Sequence, residues 1–452
     1  MELEEQIAEW RGYVRRRGAV QDTDAEELED HLRNTVSDLV GSGLREDEAF
    51  LVAVKRMGSL DDLSREFARE HSGRLWKQLV LTEHDSAPAA VPLWQRDWVI
   101  MLVCAAIAAI AIKVPALFGY SLSEGDRGNF YERNYALFAT APLAVYFAWR
   151  RRLAPLALGG LIGLFALGVL GANAYPLGPN SQSTVLTAIH LVIALWLAVG
   201  LAYVAGDWLS DRKRMDFIRF TGEWFVYYVL ISLGITVLAV ITDGVFNAIG
   251  IRVGNFINEW MVPCSLLAAV VVAAWLVEAK QSVIENMAPV LTRVFTPLFT
   301  AVMLAFVVAV FWTKTGIDVD RDVLITFDVL LALVLGLLLY SISARDPLRP
   351  PGLFDRLQFA LAVSALFIDM LVLAAITGRI EEWGTTPNKM AAFGENVILA
   401  TNLAWTAWLL IEFIRGHTRF TRLEQWQTRY VGVYALWAWT VVLLFPPLFD
   451  FM

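Results

Sequence analysis

The sequence predicts an all-α protein, in which a polytopic membrane helical bundle follows a small N-terminal helical domain. Hydrophobic residues make up 57% of the 452 residues and charged residues 18%, against about 45–50% and 25% in ordinary soluble domains. Beyond residue 97, apolar stretches of roughly 17–25 residues follow one another, each long enough to cross a bilayer core. The sequence therefore divides into a helical domain (1–81), a linker rich in Pro and Ala (82–97) and a multi-pass membrane domain (98–452).

Helix caps and apolar spacing predict four helices in the N-terminal domain. Apolar side chains recur at helical spacing from Leu3 to Val14, which indicates the first helix. Thr23 begins a capping box that opens the second helix, Asp47 can cap the third, and Ser59 can cap the fourth. About 70 residues is near the lower limit for an independent core, so a partner or the membrane domain should help to stabilise this unit.

The net charge is concentrated in the first 85 residues. They contain 12 Lys and Arg and 20 Asp and Glu, a difference of −8 that equals the net charge of the whole chain. Nucleic-acid binding needs basic side chains at the phosphates. The composition therefore argues against direct nucleic-acid contact and favours a basic or amphipathic protein partner for this domain.

Motifs for metal, cofactor and soluble-enzyme chemistry are missing from the sequence. Cys104 and Cys264 both fall in apolar spans, and no CxxC or other metal-ligand spacing occurs, so we expect neither a disulfide nor a zinc site. No GxxxxGK[ST] is present, so the chain cannot carry its own Walker ATPase. We expect no cofactor, no metal and no catalytic residue.

Hydropathy predicts about eleven transmembrane helices, and basic loops predict their orientation. The start of the chain lacks the pattern of a signal peptide, so the N-terminus should be cytoplasmic. With that orientation the inner loops carry 16 Lys and Arg and the outer loops 8, as the positive-inside rule requires. An odd number of spans then places the C-terminus outside. The predicted spans are 98–118, 134–149, 154–172, 184–206, 222–242, 259–278, 294–313, 323–343, 355–378, 396–413 and 429–448, with an interfacial or re-entrant segment at 244–258.

The N-terminal domain has a recurring set of side chains and glycines between residues 27 and 58: Glu27, Leu28, His31, Leu32, Gly43, Ala49, Ala53 and Gly58. With this set the domain resembles the short helical prefix domains of some bacterial permeases and the helical signalling domains associated with PadR-type repressors. The resemblance implies a cytoplasmic protein partner for residues 1–80, either a PadR-type regulator or a separate ATPase.

A second resemblance covers the membrane domain, most specifically residues 222–452. The residues that carry it are 223–228, Thr292 to Pro297 (TRVFTP), Asp328, Tyr340 to Asp346 (YSISARD), Gln358, Asp369, Arg379 with Ile380, Thr386 to Asn388 (TPN), Asn396, Asn402 to Trp405 (NLAW), Trp426 to Tyr430 (WQTRY) and Pro446 with Pro447. With these residues the domain resembles a bacterial multi-pass membrane family, a permease-like domain of unknown function. The resemblance implies a bacterial inner-membrane location without implying an activity.

Polar residues inside or beside the predicted spans are the candidate ligand- and ion-binding residues. A carboxylate in hydrocarbon costs several kcal/mol unless it is paired, hydrated or protonated. With the predicted orientation of the spans, the candidates lie in the outer half of the bundle, around an outward-facing polar cavity. The alternative for each is a structural hydrogen bond between helices, or for Asn388 a turn or cap. The candidates are Asp328, Asp369, Arg379, Asn388, Asn402 and His190.

These features favour a permease-like protein that binds or moves a small molecule, an ion or a lipid through that cavity. Two alternatives remain at the level of sequence. One is a sensor whose membrane domain binds an envelope ligand and whose acidic N-terminal domain contacts a regulator. The other is a membrane enzyme that acts on a lipid-linked substrate. Membrane lipids are expected partners in all three cases.

Overall fold

The structure is a computed structural model and describes residues 3–4, 6–7, 22–42, 44–57, 97–120, 122, 130–178, 181–248, 251–279, 287–313 and 321–451. Helix accounts for 86% of the structure, and no strand occurs in those ranges. The all-α prediction is therefore confirmed. The chain forms two compact units, Met1–Val91 and Pro92–Met452, and the division falls within the predicted linker.

In the described part of the N-terminal unit the main helices are α1 (Asp22–Gly41) and α2 (Glu46–Met57). Leu32 and Val36 of α1 pack against Phe50 of α2 in a small buried core. On the surface, the Arg33 guanidinium donates hydrogen bonds to both Glu4 carboxylate oxygens, at 2.6 and 2.8 Å. The fourth predicted helix and most of the first lie outside the described residues, as does the side chain of His31.

Twelve α-helices make up the described part of the second unit, and a 3-10 turn (Val114–Phe118) follows the first of them. A short helical segment (Gly254–Phe256) and a π-helical turn (Ile257–Met261) lead into α8. The helices are α3 (Asp97–Ala111), α4 (Phe130–Arg150), α5 (Pro155–Asn173), α6 (Gln182–Tyr203), α7 (Asp211–Ala248), α8 (Val262–Ala279), α9 (Met287–Thr313), α10 (Arg321–Ser343), α11 (Leu353–Trp383), α12 (Pro387–Ile414), α13 (Phe420–Leu443) and α14 (Phe445–Leu448).

Nine helical stretches in the described residues are long and apolar enough to cross a membrane. The chain is therefore a membrane protein by length and composition of its helices. Eleven spans were predicted from the sequence. The two that are not among the nine correspond to α4 and α13, which form helices of 21 and 24 residues with more polar side chains.

Several helix boundaries differ from the hydropathy-based prediction, among them those of α7 and α11. α7 begins at Asp211, well before the predicted start at 222, and α11 continues to Trp383, past the predicted end at 378. α7 also runs as regular helix to Ala248, so the predicted segment at 244–258 was placed too early. Hydropathy marks only the hydrocarbon-level part of a helix, whereas backbone hydrogen bonding continues into the polar layer.

Two large apolar cores hold the membrane unit together. The first contains side chains from every helix between α3 and α8, with Tyr146 and Phe147 of α4 against Phe217 of α7 at its centre. The second joins α9 to α13 and includes Leu361 of α11 and Leu410 of α12. The first turns of α7 contribute side chains to both cores, so this segment connects the two halves of the bundle.

Candidate functional site

Four helices bring polar side chains together at the contact between the two halves of the bundle. α10 carries Asp328, α11 carries Asp369, and α12 carries the adjacent pair Glu395 and Asn396. α6 carries His190, which reaches Glu395 across the contact between the two halves. We call these five residues the polar cluster.

Asn396 links α12 to α10. Its side-chain amide donates hydrogen bonds to Oδ1 of Asp328 at 3.0 Å and to the backbone oxygen of Ala392 at 2.8 Å. Asn396 is completely buried, and its amide oxygen has no hydrogen-bond partner among the described residues. The amide oxygen close to Asp328 can therefore still accept a hydrogen bond.

The hydrogen bonds of His190 require a hydrogen on Nδ1 and one proton between Nε2 and Glu395. Nδ1 of the ring is 2.9 Å from the backbone oxygen of Leu186, and Nε2 is 2.6 Å from Oε1 of Glu395. A carbonyl oxygen can only accept, so Nδ1 must carry a hydrogen. Either Nε2 also carries one and faces an ionised Glu395, or Glu395 is protonated and donates to Nε2. In both cases a single proton is shared between His190 and Glu395.

Asp369 is the most deeply buried acid of the polar cluster. Its exposed fraction is 0%, and neither carboxylate oxygen has a hydrogen-bond partner in the described part of the chain. Asp369 lies close enough to Asp328 to interact with it electrostatically, and Asp328 interacts in the same way with Glu395. A buried carboxylate without a donor is costly, so this position requires a proton or a small cation.

Two hydroxyl groups extend the polar face of α6 next to His190. Ser183 and Thr187 precede His190 by seven and three residues, so all three side chains project from one side of the helix. Both residues are buried, and neither hydroxyl oxygen has a hydrogen-bond partner within the described segments. They provide two further groups that can donate or accept hydrogen bonds next to the polar cluster.

Arg379 and Asn388 lie nearer the end of the bundle at which α11 meets α12. Arg379 follows Asp369 by ten residues on the same helix, about 15 Å along its axis. Its backbone oxygen accepts a hydrogen bond from Nζ of Lys389. The backbone N–H of Asn388 donates to Oε1 of Gln182 at 3.3 Å. The structure places both residues at this helix end, outside the polar cluster.

Asn402 belongs to a separate, satisfied hydrogen-bond network. Its amide nitrogen donates to Oε1 of Gln427 at 3.1 Å and to the hydroxyl of Tyr434 at 2.6 Å. Its oxygen accepts from Nε1 of Trp426 at 2.7 Å and from the hydroxyl of Thr406 at 3.2 Å. These contacts occupy both hydrogens and both lone pairs of the amide, and they join α12 to α13.

Glu395 and Asn396 were missed as site residues by the sequence reasoning. The predicted span began at 396, so Glu395 was assigned to the preceding polar loop, although α12 begins at Pro387. Ser183 and Thr187 are predictable from the sequence, because their spacing from His190 places three polar side chains on one face of an apolar helix.

Two open pockets lie at the opposite helix ends, near residues 347–351 and 413–425. None of the six candidate residues lines either pocket. Within the described residues, no three His, Cys, Asp or Glu side chains are arranged to hold a metal ion. The polar cluster is thus a group of three acids, one amide and one imidazole at helix contacts.

Comparisons of this chain with protein-family models, with curated proteins and with solved structures find no match. An account of what the protein does therefore rests on the geometry of the polar cluster.

Proposed function

We propose that the protein is a permease-like carrier of the bacterial inner membrane, in which the polar cluster binds a proton during the movement of a small molecule or an ion. The observation that carries the proposal is Asp369, a fully buried carboxylate without a hydrogen-bond donor in the described residues. An intramembrane acid of this kind is expensive to maintain and is typical of proton relays.

The cluster offers a graded path from a partly open acid to a buried one. The Glu395 side chain is 34% exposed and shares a proton with His190. Asp328 is intermediate in exposure and Asp369 is fully buried. Neighbouring acids in this order interact electrostatically, and we propose Asp328 as the intermediate site for a proton that moves between Glu395 and Asp369.

Contacts at both ends of α4 support eleven membrane crossings instead of nine. Near its start, the Tyr131 hydroxyl donates to the backbone oxygen of Ile112, just beyond the end of α3. At its end, Arg150 pairs with Asp97 at the start of α3. α4 thus runs antiparallel to α3 over the full length of a helix that is apolar enough to span. We infer that α4 also crosses.

α13 has the same kind of contacts at its two ends. In its first half, Arg429 pairs with Asp211 at the start of α7. Its last residue, Leu443, accepts a hydrogen bond through its backbone oxygen from the Tyr175 hydroxyl, beyond the end of α5. With both helices counted, eleven crossings and the excess of basic residues at one side favour a cytoplasmic N-terminus and an external C-terminus.

The test uses inside-out membrane vesicles, which acidify internally by respiration and report the pH gradient through a fluorescent amine. Pools of metabolites, drugs and inorganic ions are added in turn. We expect at least one pool to dissipate the gradient in vesicles that contain the wild-type protein. Asp369→Asn should abolish this response because an amide cannot exchange a proton.

Asp243→Asn serves as the matched control, because Asp243 is also a carboxylate of a membrane-spanning helix but is bonded to Asn247, four residues along α7. It should respond as the wild type does. An unchanged response in Asp369→Asn, or the absence of any response to all pools in the wild type, would refute proton-coupled carriage.

A further inference from the structure

Two adjoining pockets form an amphipathic groove at the helix ends opposite to Arg379. The first has a volume of about 600 Å³ and is lined only by polar residues and glycine, among them His417, Arg419, Arg422 and Gln425. The second has a volume of about 460 Å³ and is lined mainly by prolines, Leu348, Phe413 and Phe420. Four residues, Gly416, Thr418, Arg419 and Thr421, line both pockets, so the two are continuous.

From these pockets we infer a binding site for one anionic phospholipid, with the headgroup phosphate in the polar pocket and the glycerol and acyl chains along the apolar pocket. This inference goes beyond the proposed carrier activity and does not depend on it. The loops that form the groove, 344–352 and 415–419, each directly follow a helix that is long and apolar enough to cross a membrane, α10 and α12 respectively. They therefore lie at the level of the lipid headgroups.

The polar pocket carries positive charge that the protein leaves unpaired. Arg150, Arg345 and Arg429 at the same helix ends pair with carboxylates. The side chains of Arg419 and Arg422 are exposed and contact no acidic side chain among the described residues. The one acid bonded to a lining residue is Glu412, which is 3.3 Å from Nδ1 of His417. The pocket thus presents two free guanidinium groups, which suit a phosphate.

Backbone donors add to this charge. Arg419 is the N-cap of α13, a helix of 24 residues, and no side chain caps its first N–H groups. Free N–H groups at the start of a long helix favour an anion. The hydroxyl oxygen of Thr418, which lines both pockets, is buried and has no hydrogen-bond partner in the described structure.

Two buried aromatic rings form the floor of the apolar pocket, and an exposed leucine lies at its rim. Phe413 and Phe420 are buried, and the Arg345 guanidinium stacks on both rings, at 4.7 and 4.4 Å from their centroids. Arg345 is itself held by Asp355 at 2.7 Å. At the rim, Leu348 is 93% exposed between prolines. A free phosphate would leave this surface in water, whereas the glycerol and acyl part of a lipid would cover it.

The experiment is native mass spectrometry of the full-length protein in detergent, titrated with phosphatidylglycerol and, separately, with zwitterionic phosphatidylcholine. We expect preferential retention of phosphatidylglycerol by the wild type. The double variant Arg419→Gln/Arg422→Gln should bind it on the order of 10- to 30-fold more weakly, because each arginine near a headgroup contributes about 1 kcal/mol. Leu348→Ser should weaken the binding of both lipids.

The control variant Arg212→Gln/Arg415→Gln removes two exposed charges from the same side of the protein but lines neither pocket. It should keep the affinity of the wild type. Equal losses in both double variants would show general surface electrostatics and overturn the site, and so would undiminished binding by Arg419→Gln/Arg422→Gln. Displacement of the lipid by millimolar inorganic phosphate would indicate a free-anion site and would also overturn the lipid assignment. Melting temperatures of all variants confirm that they are folded.

Discussion

Gly394 determines how closely α13 approaches α12 next to the polar cluster. A Cβ atom at this position would lie 2.1 Å from one carbon of the Trp437 ring and 2.2 Å from another. Only a residue without a side chain permits this contact. Because Glu395 is the next residue, the position of the Trp437 ring also fixes the part of α12 that presents Glu395 to His190.

We predict that Gly394→Ala destabilises the protein and disturbs the polar cluster. The added methyl group must displace a large ring in a packed region, which costs about 1–3 kcal/mol. The apparent melting temperature in detergent should fall. Gly336→Ala is the control, since a Cβ there meets nothing within 4 Å, and it should leave the melting temperature unchanged or slightly higher. Equal behaviour of the two variants would contradict this account of Gly394.

At the level of residues, the sequence showed which polar side chains are costly to bury but not which groups they contact. Asp328, Asp369 and His190 stood out as polar groups within apolar runs, and the structure brings all three into one cluster. Nothing in a single sequence shows that Asn402 faces Gln427 and Tyr434 of α13, because helix rotation is set by packing between distant segments. The distinction between a satisfied amide and an unsatisfied carboxylate therefore required the structure.

Among the helices, an ion-pair cluster joins the ends of α3, α4 and α8. Glu278 of α8 is buried and accepts from Nε of Arg150 at 3.0 Å and from the Arg151 guanidinium at 2.9 Å. Arg150 also pairs with Asp97 at the start of α3. Arg150, held between Glu278 and Asp97, thus joins the ends of three helices.

We predict that Glu278→Gln lowers the apparent melting temperature markedly. The change removes the charge that neutralises two arginines. We expect the free energy of unfolding to fall by about 1–3 kcal/mol, and not by more, because the arginines remain partly hydrated. Asp346→Asn is the comparison variant, since its partner Arg349 is 3.7 Å away and exposed. It should change the melting temperature little. A Glu278→Gln protein as stable as Asp346→Asn would show that the cluster contributes nothing.

Hydropathy predicted where helices occur in the membrane unit, since each predicted span has a helix in the structure. It did not predict their full lengths. The polar extensions of α7 and α11 are stabilised by backbone hydrogen bonds and by local pairs such as Arg214 with Asp211, which a hydropathy scale does not detect.

For the whole molecule, the proposed eleven crossings predict which loops face the cytoplasm. In a variant without Cys104 and Cys264, single cysteines are placed at Ala154, Leu209 and Glu382, all exposed positions. A membrane-impermeant maleimide should label Glu382→Cys in intact spheroplasts. Ala154→Cys and Leu209→Cys should be labelled only in inside-out vesicles. External labelling of Ala154→Cys would mean that α4 does not cross the membrane.

Removal of the N-terminal unit separates carriage from sensing. The polar cluster and both large apolar cores lie in Pro92–Met452, so a chain that lacks residues 1–91 should still dissipate the pH gradient in the vesicle assay, at least in part. A sensor would instead lose its output with this unit. Loss of the response in a truncated protein that remains folded and inserted would contradict the carrier and support the sensor.

The second half of α7 has a consequence for how this sequence can diverge. α7 has 38 residues, and among its described side chains from Val229 to Asn247 only Ala239 is buried. Because lipid accepts any apolar side chain equally well, these positions constrain composition but not identity. Homologous chains should therefore drift fastest here while they keep the hydropathy, so an alignment anchored on this stretch would lose its register before one anchored on α11 or α12.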